Sequence, residues 1–232
     1  MKFTKALIKG KLLKRYKRFF VDIKVNKEII IAHCPNTGSM MGLLNENNDA
    51  WVLKNEDPKR KLKYTLQILK TSKNVIGVNT HLANKLVHEG LQNNTLLEFK
   101  NLDKIVTEKF YNKETRFDFL VEKKEKKIFI EVKNVTLIRD GKTSEFPDAI
   151  TTRGSKHIKT LMDARKKGYE CYVFFLVQIE NCKYFKIAND IDNEYYENYK
   201  LAKKSGVKFI AYNCKVGPKE IKIDKKIEIL DE

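Results

Sequence analysis

In the segment IFIEVKNVTL, residues 128–137, Glu131 and Lys133 stand two apart inside an otherwise aliphatic and aromatic run. In an extended strand that spacing puts both side chains on one face with Phe129, while Ile128, Ile130 and Val132 take the other. A third charge, Asp118, lies between Phe117 and Phe119 in the preceding segment RFDFLVE, and the charged stretch EKKEKK between the two reads as a hairpin turn. Such a hairpin brings Asp118 next to Glu131. Adjacent carboxylates repel unless a cation or a proton lies between them, and a hard divalent ion such as Mg²⁺ (or Mn²⁺) takes oxygen ligands while keeping several waters. A metal held there acidifies a bound water and polarises a phosphate. Lys133 then steers the water and offsets charge on a phosphorane-like transition state. Burying three charges without such a purpose is costly.

Further residues can serve the same chemistry. The segment FPDAITTRGSKHIKTL leads into a helix from about Ser155, on which Ile158, Leu161, Met162 and Arg165 share a face and which Gly168 stops. Arg153 and Lys156 at its start suit a phosphate, together with the helix N-terminus. His157 faces the metal pocket, meets a phosphate, or is a partly exposed structural histidine; the sequence leaves all three open. Gln178, which ends the apolar run VFFLV, is either a polar group over the site or an ordinary strand-terminal residue. In KLLKRYKRFF, basic residues including Arg15, Lys17 and Arg18 alternate with Tyr16, Phe19 and Phe20. That mixture suits single-stranded nucleic acid by backbone neutralisation and base stacking. Arg15 and Arg18 are the preferred contacts, with Arg60 and Lys61 in DPKRKL next.

The elements that must position these residues divide near residue 80. Before it, KALIKGKLL, RFFVDIKV, EIIIAHC, AWVLK and KLKYTLQILK read as short strands at close spacing, a small barrel or sandwich. The segment HCPNTGSMMGLL, with Pro35, Gly38 and Gly42, reads as a shaped loop able to touch DNA or the other domain. After it, the order is helix (THLANKLVHEGL), three strands, helix, strand (YVFFLVQIE), helix (DNEYYENYKLAKKSG, with Asp192 as N-cap) and strand (VKFIAYNCKV). Residues 1–80 and 81–232 are therefore expected to be separate domains, the second with a mixed central sheet.

The chain has 47 Lys and Arg against 30 Asp and Glu, a formal charge of +17, which favours a polyanionic partner by counterion release. Nucleic acid, DNA before RNA and through its backbone, is the expected partner. At 232 residues and 42% hydrophobic, the chain is long and apolar enough for a real core. Lysines interrupt the first segment too often for a signal peptide, and CYVFFLV is too short for a membrane helix, so a cytoplasmic protein without a membrane partner is expected. Cys34, Cys171, Cys182 and Cys214 form no CxxC pair and read as reduced structural thiols. A homodimer is possible but not inferable, and no spacing supports a helix-turn-helix operator reader.

The helix, strand and motif order resembles the PD-(D/E)xK nuclease superfamily, with Asp118 as its first acid and Glu131-Val132-Lys133 as ExK; Arg116-Phe117 precede Asp118 where that family often has Pro. There, a further acid on the first helix can complete the metal site, and Glu89 in LVHEGL is the matching position. The whole chain also resembles the sugar fermentation stimulation protein (SfsA) family. The likeness runs through LLKRYKRFFVDI, AHCPNTGSMMGLL, RKLKYTLQILK, GVNTHLANKLVHEGL, RFDFLVE, IEVKNVTL, FPDAITTRGSKHIKTL and VFFLVQ. It implies an N-terminal OB-fold barrel, a C-terminal nuclease-like α/β domain, DNA binding and a regulatory link to the use of sugars, maltose in particular. Two functions follow: a Mg²⁺-dependent nuclease cleaving phosphodiester bonds, or a non-catalytic DNA-binding regulator on a nuclease scaffold.

Overall fold

The computed structural model describes residues 1–231. Six strands open the chain: β1 (Ile8–Tyr16), β2 (Phe20–Val25), β3 (Glu28–His33), β4 (Asp49–Lys54), β5 (Tyr64–Lys70) and β6 (Val75–Gly77). Their inward residues, among them Leu12, Val21, Ile23, Ala32 and Val52, are fully buried and alternate with more exposed neighbours, as the pleat requires, while β5 is buried on both faces from Thr65 to Leu69. The antiparallel order β3-β2-β1-β4-β5 closes on itself through parallel pairing of Ala32 with Tyr64 and His33 with Thr65. The result is the five-stranded OB-type barrel, and closure leaves little free strand edge.

From α1 (Ala83–Gln92) the chain builds a nine-stranded mixed sheet. Its strands are β7 (Lys104–Phe110), β8 (Arg116–Lys123), β9 (Lys126–Val135), β10 (Leu137–Ile138), β11 (Thr143–Phe146), β12 (Glu170–Val177), β13 (Tyr184–Ile187), β14 (Lys208–Val216) and β15 (Ile221–Ile229), with α2 (Thr152–Lys166) and α3 (Asn193–Lys204) between them. The order is β10-β11-β13-β15-β14-β12-β9-β8-β7, and β9, β12 and β14 are parallel at the centre. Leu86, Val87 and Leu91 of α1 share a core with Phe119, Ile128, Ile130 and Val132. On the opposite face, Ile158, Leu161 and Ala164 of α2 and Tyr195 and Tyr199 of α3 share one with Phe129, Val173 and Phe175. Both faces of β9 are thus packed, and Glu131 lies on the side of α2.

Six strands depart from the sequence expectation: β6, β7, β10, β11, β13 and β15. The strand expected at LLEFK is instead a 3-10 turn, Leu97–Phe99, and the sheet's outer strand β7 follows it. The other five are shorter than five residues or, in β15, dominated by charges, and each pairs with the edge of a neighbouring strand. The two parts of the chain are joined by backbone as well as side chains. The Gly77 N–H donates to the Gln178 carbonyl at 2.8 Å and the Glu180 N–H to the Val75 carbonyl at 2.9 Å, hooking β6 onto the segment after β12. All four cysteines are free and buried. Among the described residues, no helix is long and apolar enough to cross a membrane.

Candidate active site

The hairpin of β8 and β9 pairs from Lys123 with Lys126 up to Phe119 with Ile130, and there the ladder ends. At the next position the Asp118 carboxylate replaces the missing backbone acceptor. Its Oδ2 accepts the Val132 N–H at 2.7 Å, and its Oδ1 accepts the Asn84 side-chain amide, also at 2.7 Å. Asp118 is therefore fixed by three elements at once: its own strand, β9, and the first turn of α1.

Glu131 sits beside it on the central strand, paired with Val173 of β12, and is 4% exposed. Its Oε1 accepts from the Lys133 ammonium at 2.7 Å and meets Nδ1 of His157, which α2 presents to the sheet. Its Oε2 is buried and has no hydrogen-bond partner. Arg153 Nε lies 3.4 Å from His157 Nε2 and donates to it. A carboxylate only accepts, so the hydrogen bonds assign the His157 proton to Nδ1.

The two carboxyls are pushed in opposite directions. Burial raises that of Glu131, but the Lys133 ammonium and His157 outweigh it and hold the group below the usual carboxylate range. Burial also raises Asp118, the Glu131 charge raises it further, and the Val132 N–H, the Asn84 amide and Lys133 only partly offset this, leaving it at about 6. One acid is ionised and the other resists ionisation, the pattern of two carboxylates sharing a site.

This donor set fits a hard divalent cation. It offers two adjacent carboxylates, one with a buried oxygen left unpartnered. No group of three or more His, Cys, Asp or Glu side chains able to hold a metal occurs among the described residues. A cation here takes its remaining ligands from water and phosphate, the habit of Mg²⁺.

The structure brings Asp118, Glu131, Lys133 and His157 together and sends other expected residues elsewhere. Glu89 is not at the site: its carboxylate accepts from the Met1 α-amine at 2.6 Å. It lies five residues past Asn84, more than a third of a turn around the helix, so Asn84 takes the place beside Asp118. His157 is buried against Glu131 and is no surface contact for nucleic acid. Lys156 pairs with Glu114 at 2.8 Å, and Arg153 stands exposed one turn before His157. Arg15 and Arg18 lie against the HCPNTGSM loop. Arg15 donates to the carbonyls of Arg18, Asn36 and Gly38 at 2.8–3.0 Å, and Arg18 donates to the Thr37 carbonyl at 2.9 Å through Nε. Both guanidiniums thus help shape that loop, and Arg18 remains exposed.

That loop reaches the second domain. Ser39 Oγ donates to the Asp148 carbonyl at 2.7 Å, and Asn36 Nδ2 to Thr136 Oγ1 at 3.4 Å. A Cβ on Gly38 would lie 2.1 Å from an Asp148 carboxylate oxygen, so the close approach requires glycine. Lys17, in the turn after β1, and Arg60 and Lys61, between β4 and β5, are exposed. Gln178 is fully buried and donates to Asn134 Oδ1 at 2.5 Å and to the Asn79 carbonyl at 3.3 Å, a tie between domains. Asn84 was missed because a lone helical asparagine carries no spacing signal.

Comparison with known proteins agrees with this architecture. The family model of the SfsA N-terminal OB domain matches residues 13–78, and that of the sugar fermentation stimulation protein RE domain matches residues 81–220. A sugar fermentation stimulation protein homolog of Pelagibacter ubique is 68% identical over 231 residues, spanning 100% of both chains. One of Syntrophotalea carbinolica is 37% identical, over 99% of both. Among solved structures, SfsA of Pyrococcus furiosus in complex with Ca²⁺ has the same fold, with a TM-score of 0.89 at 24% identity, covering 100% of this chain and 98% of that one.

Proposed function

This chain belongs to the sugar fermentation stimulation protein (SfsA) family, and we propose that it is a nucleic-acid-binding protein whose C-terminal domain hydrolyses phosphodiester bonds of DNA with a divalent cation. The observation that carries the reading is the buried, unpartnered Oε2 of Glu131 beside an Asp118 that resists ionisation. A protein that never holds a cation at this point keeps an electrostatic fault in its core to no end.

Asp118 and Glu131 are the residues to hold Mg²⁺ or Mn²⁺, and the ion supplies Lewis-acid polarisation of the phosphate and a more acidic water. That the Pyrococcus furiosus relative is described with Ca²⁺ supports a hard cation as the family's ion. The chain's own groups do the rest. The Val132 N–H and the Asn84 amide aim Asp118, and His157 fixes the orientation of Glu131 through Oε1, leaving Oε2 for the ligand. Lys133 lies on the same strand face and contributes positive charge where the pentacoordinate phosphorus gathers negative charge. The excess of basic residues draws the polyanion in, largely without regard to base sequence.

One observation favours the second reading, a DNA-binding regulator of sugar (maltose) use without turnover. Lys133 is only 11% exposed and already paired with Glu131, an arrangement that satisfies half of the cluster internally. Incubation with supercoiled plasmid, labelled single-stranded DNA and labelled RNA in Mg²⁺ or Mn²⁺, scoring strand breaks and binding together, separates the readings. Metal-dependent breaks that disappear in Asp118→Asn with binding retained support the nuclease. Binding to every substrate with no breaks in either metal overturns it and leaves the regulator.

A further inference from the structure

A cavity of about 300 Å³ lies between the barrel and the segment that enters α1. His33, Arg60, Thr65 and Gln67 line it from the barrel, and His81 and Lys85 from the other domain. Its chemistry is one-sided. Lys2 adds to the basic rim, and neither Asp nor Glu lines it; the Met1 amine is already taken by Glu89. Elsewhere on the surface basic groups meet carboxylates, as Lys9 and Lys11 do at Asp49 and Lys126 and Lys208 do at Glu170. Arg60 and Lys85 are exposed and form no ion pair among the described residues. Burial, then the charges of Arg60 and His81, hold the His33 imidazole below its ordinary range, a sign that the three converge.

The floor is rigid and incomplete. Asn79 Nδ2 donates to Gln67 Oε1 at 2.9 Å, and Gln67 Nε2 to the Thr65 carbonyl at 3.2 Å. Thr65 itself is 9% exposed, and its hydroxyl has no partner. A buried hydroxyl left without a hydrogen bond, lining a cationic cavity, marks a place for an acceptor. Phe3, Leu53 and Leu82 supply an apolar wall beside it.

We infer that this cavity is a nucleotide subsite: it takes a phosphate among His33, Arg60, His81 and Lys85, with Thr65 donating to the ligand and the attached sugar or base against Phe3, Leu53 and Leu82. The inference rests on the nucleic-acid reading above and deepens it. Lys85 of the cavity adjoins Asn84, which holds Asp118, so the subsite and the carboxylates flank the first turn of α1. A strand anchored here passes the carboxylates with a different phosphate, and the subsite measures where it is met. The same chemistry accepts a free mononucleotide.

The test is fluorescence anisotropy in EDTA at fixed salt, using labelled single-stranded oligonucleotides with a 5′-phosphate or a 5′-hydroxyl and AMP as an unlabelled competitor. Compared with the unaltered protein are Thr65→Val, Arg60→Ala with Lys85→Ala, and a control pair Lys24→Ala with Lys27→Ala on the β2–β3 hairpin. The double cavity variant is expected to weaken binding at least roughly tenfold beyond the control pair. Thr65→Val is expected to weaken it several-fold while its thermal midpoint stays level or rises, because the hydroxyl has no partner to lose. Competition by AMP, or a preference for the 5′-phosphate, identifies a terminal or free nucleotide; loss without either identifies an internal phosphate, and both support the subsite. Oligonucleotide binding that is indifferent to Thr65→Val and no more sensitive to the cavity pair than to the control overturns the subsite and leaves the nucleic-acid reading intact. AMP binding that depends on Thr65 with no affinity for any oligonucleotide keeps the subsite and overturns the reading; no binding of any probe removes both.

Discussion

Arg15 and Glu131 are both charges partly or wholly withdrawn from water, and their surroundings treat them differently. The guanidinium of Arg15 reaches four carbonyls, so its charge is matched by dipoles, most of which belong to the loop it organises. Glu131 has one oxygen held by Lys133 and His157 and the other buried with nothing to accept from. Each is a candidate for function by residue type alone. Only the second retains an unfilled polar valence, and unfilled valence, rather than charge, is what a ligand needs. The cavity hydroxyl of Thr65 belongs with Glu131 in this respect, whereas exposed Arg18 spends only its Nε on the loop.

The comparison breaks most visibly in cleavage. Asp118→Asn and Lys133→Met are expected to lower metal-dependent strand breakage on the order of 10³-fold each, with oligonucleotide affinity in EDTA within about twofold of the unaltered protein. Single-turnover kinetics with an anisotropy control checks this. Affinity falling in step with cleavage would show that the cluster is scaffolding, like Arg15.

Arg15→Ala tests the other side. Removing the guanidinium strands four carbonyls and loosens the loop that docks on Asp148, so a loss of roughly 2–3 kcal/mol in urea denaturation is expected. Arg15→Lys recovers little, because one ammonium does not span the same fork of acceptors. Unchanged stability with weakened nucleic-acid binding would restore Arg15 as a contact and dissolve the contrast.

A smaller effect appears in the pH dependence of stability with metal chelated. The native pKa of Asp118, about 6, stands above its ordinary value of 3.8. The folded state therefore holds the proton more tightly. Stability falls as pH rises from about 4 to about 6 and is level above that, where the charged form carries its full cost. The shift corresponds to about 3 kcal/mol, of which about 1–2 kcal/mol is expected given the partial exposure of the group. Asp118→Asn removes this slope. Mg²⁺ at pH 8 is expected to raise the thermal midpoint of the unaltered protein and not of Asp118→Asn, with apparent affinity falling about tenfold per pH unit below 6.

How much of this was legible in the sequence depends on the kind of signal. Alternation and turn chemistry gave the barrel strands, and Asp118, Glu131 and Lys133 were legible because charges inside apolar strands are costly and hence informative. The short strands β6, β10, β11 and β13 and the charged β7 and β15 were not, since such segments carry little pattern of their own and pair with an edge that another part of the chain supplies; LLEFK, apolar enough for a strand, forms a 3-10 turn instead. For Arg15 and Arg18 the hydrogen bonds to the loop were not legible, because a basic and aromatic run looks the same whether it faces a phosphate or a carbonyl. Glu89 misled because helical position sets a direction: Asn84 points at Asp118, and five residues later the helix has turned away. The free hydroxyl of Thr65 carried no signal at all, as threonine is an ordinary strand residue.

Lys156 gives the finest test of the contrast. It was expected to meet a phosphate, yet its ammonium pairs with Glu114, and both side chains are more than half exposed, 56% and 74%. A pair in that setting is screened by water and contributes little, so Lys156→Ala is expected to leave the urea midpoint essentially unchanged. Its pairing is also too weak to withhold it from a polyanion, unlike that of Arg15, so the variant is expected to reduce the salt dependence of nucleic-acid binding by about one counterion. An unchanged salt slope would place Lys156 with Arg15 as an occupied charge; a reduced slope at constant stability makes exposure, and not the mere presence of a partner, the property that decides whether a paired charge remains available.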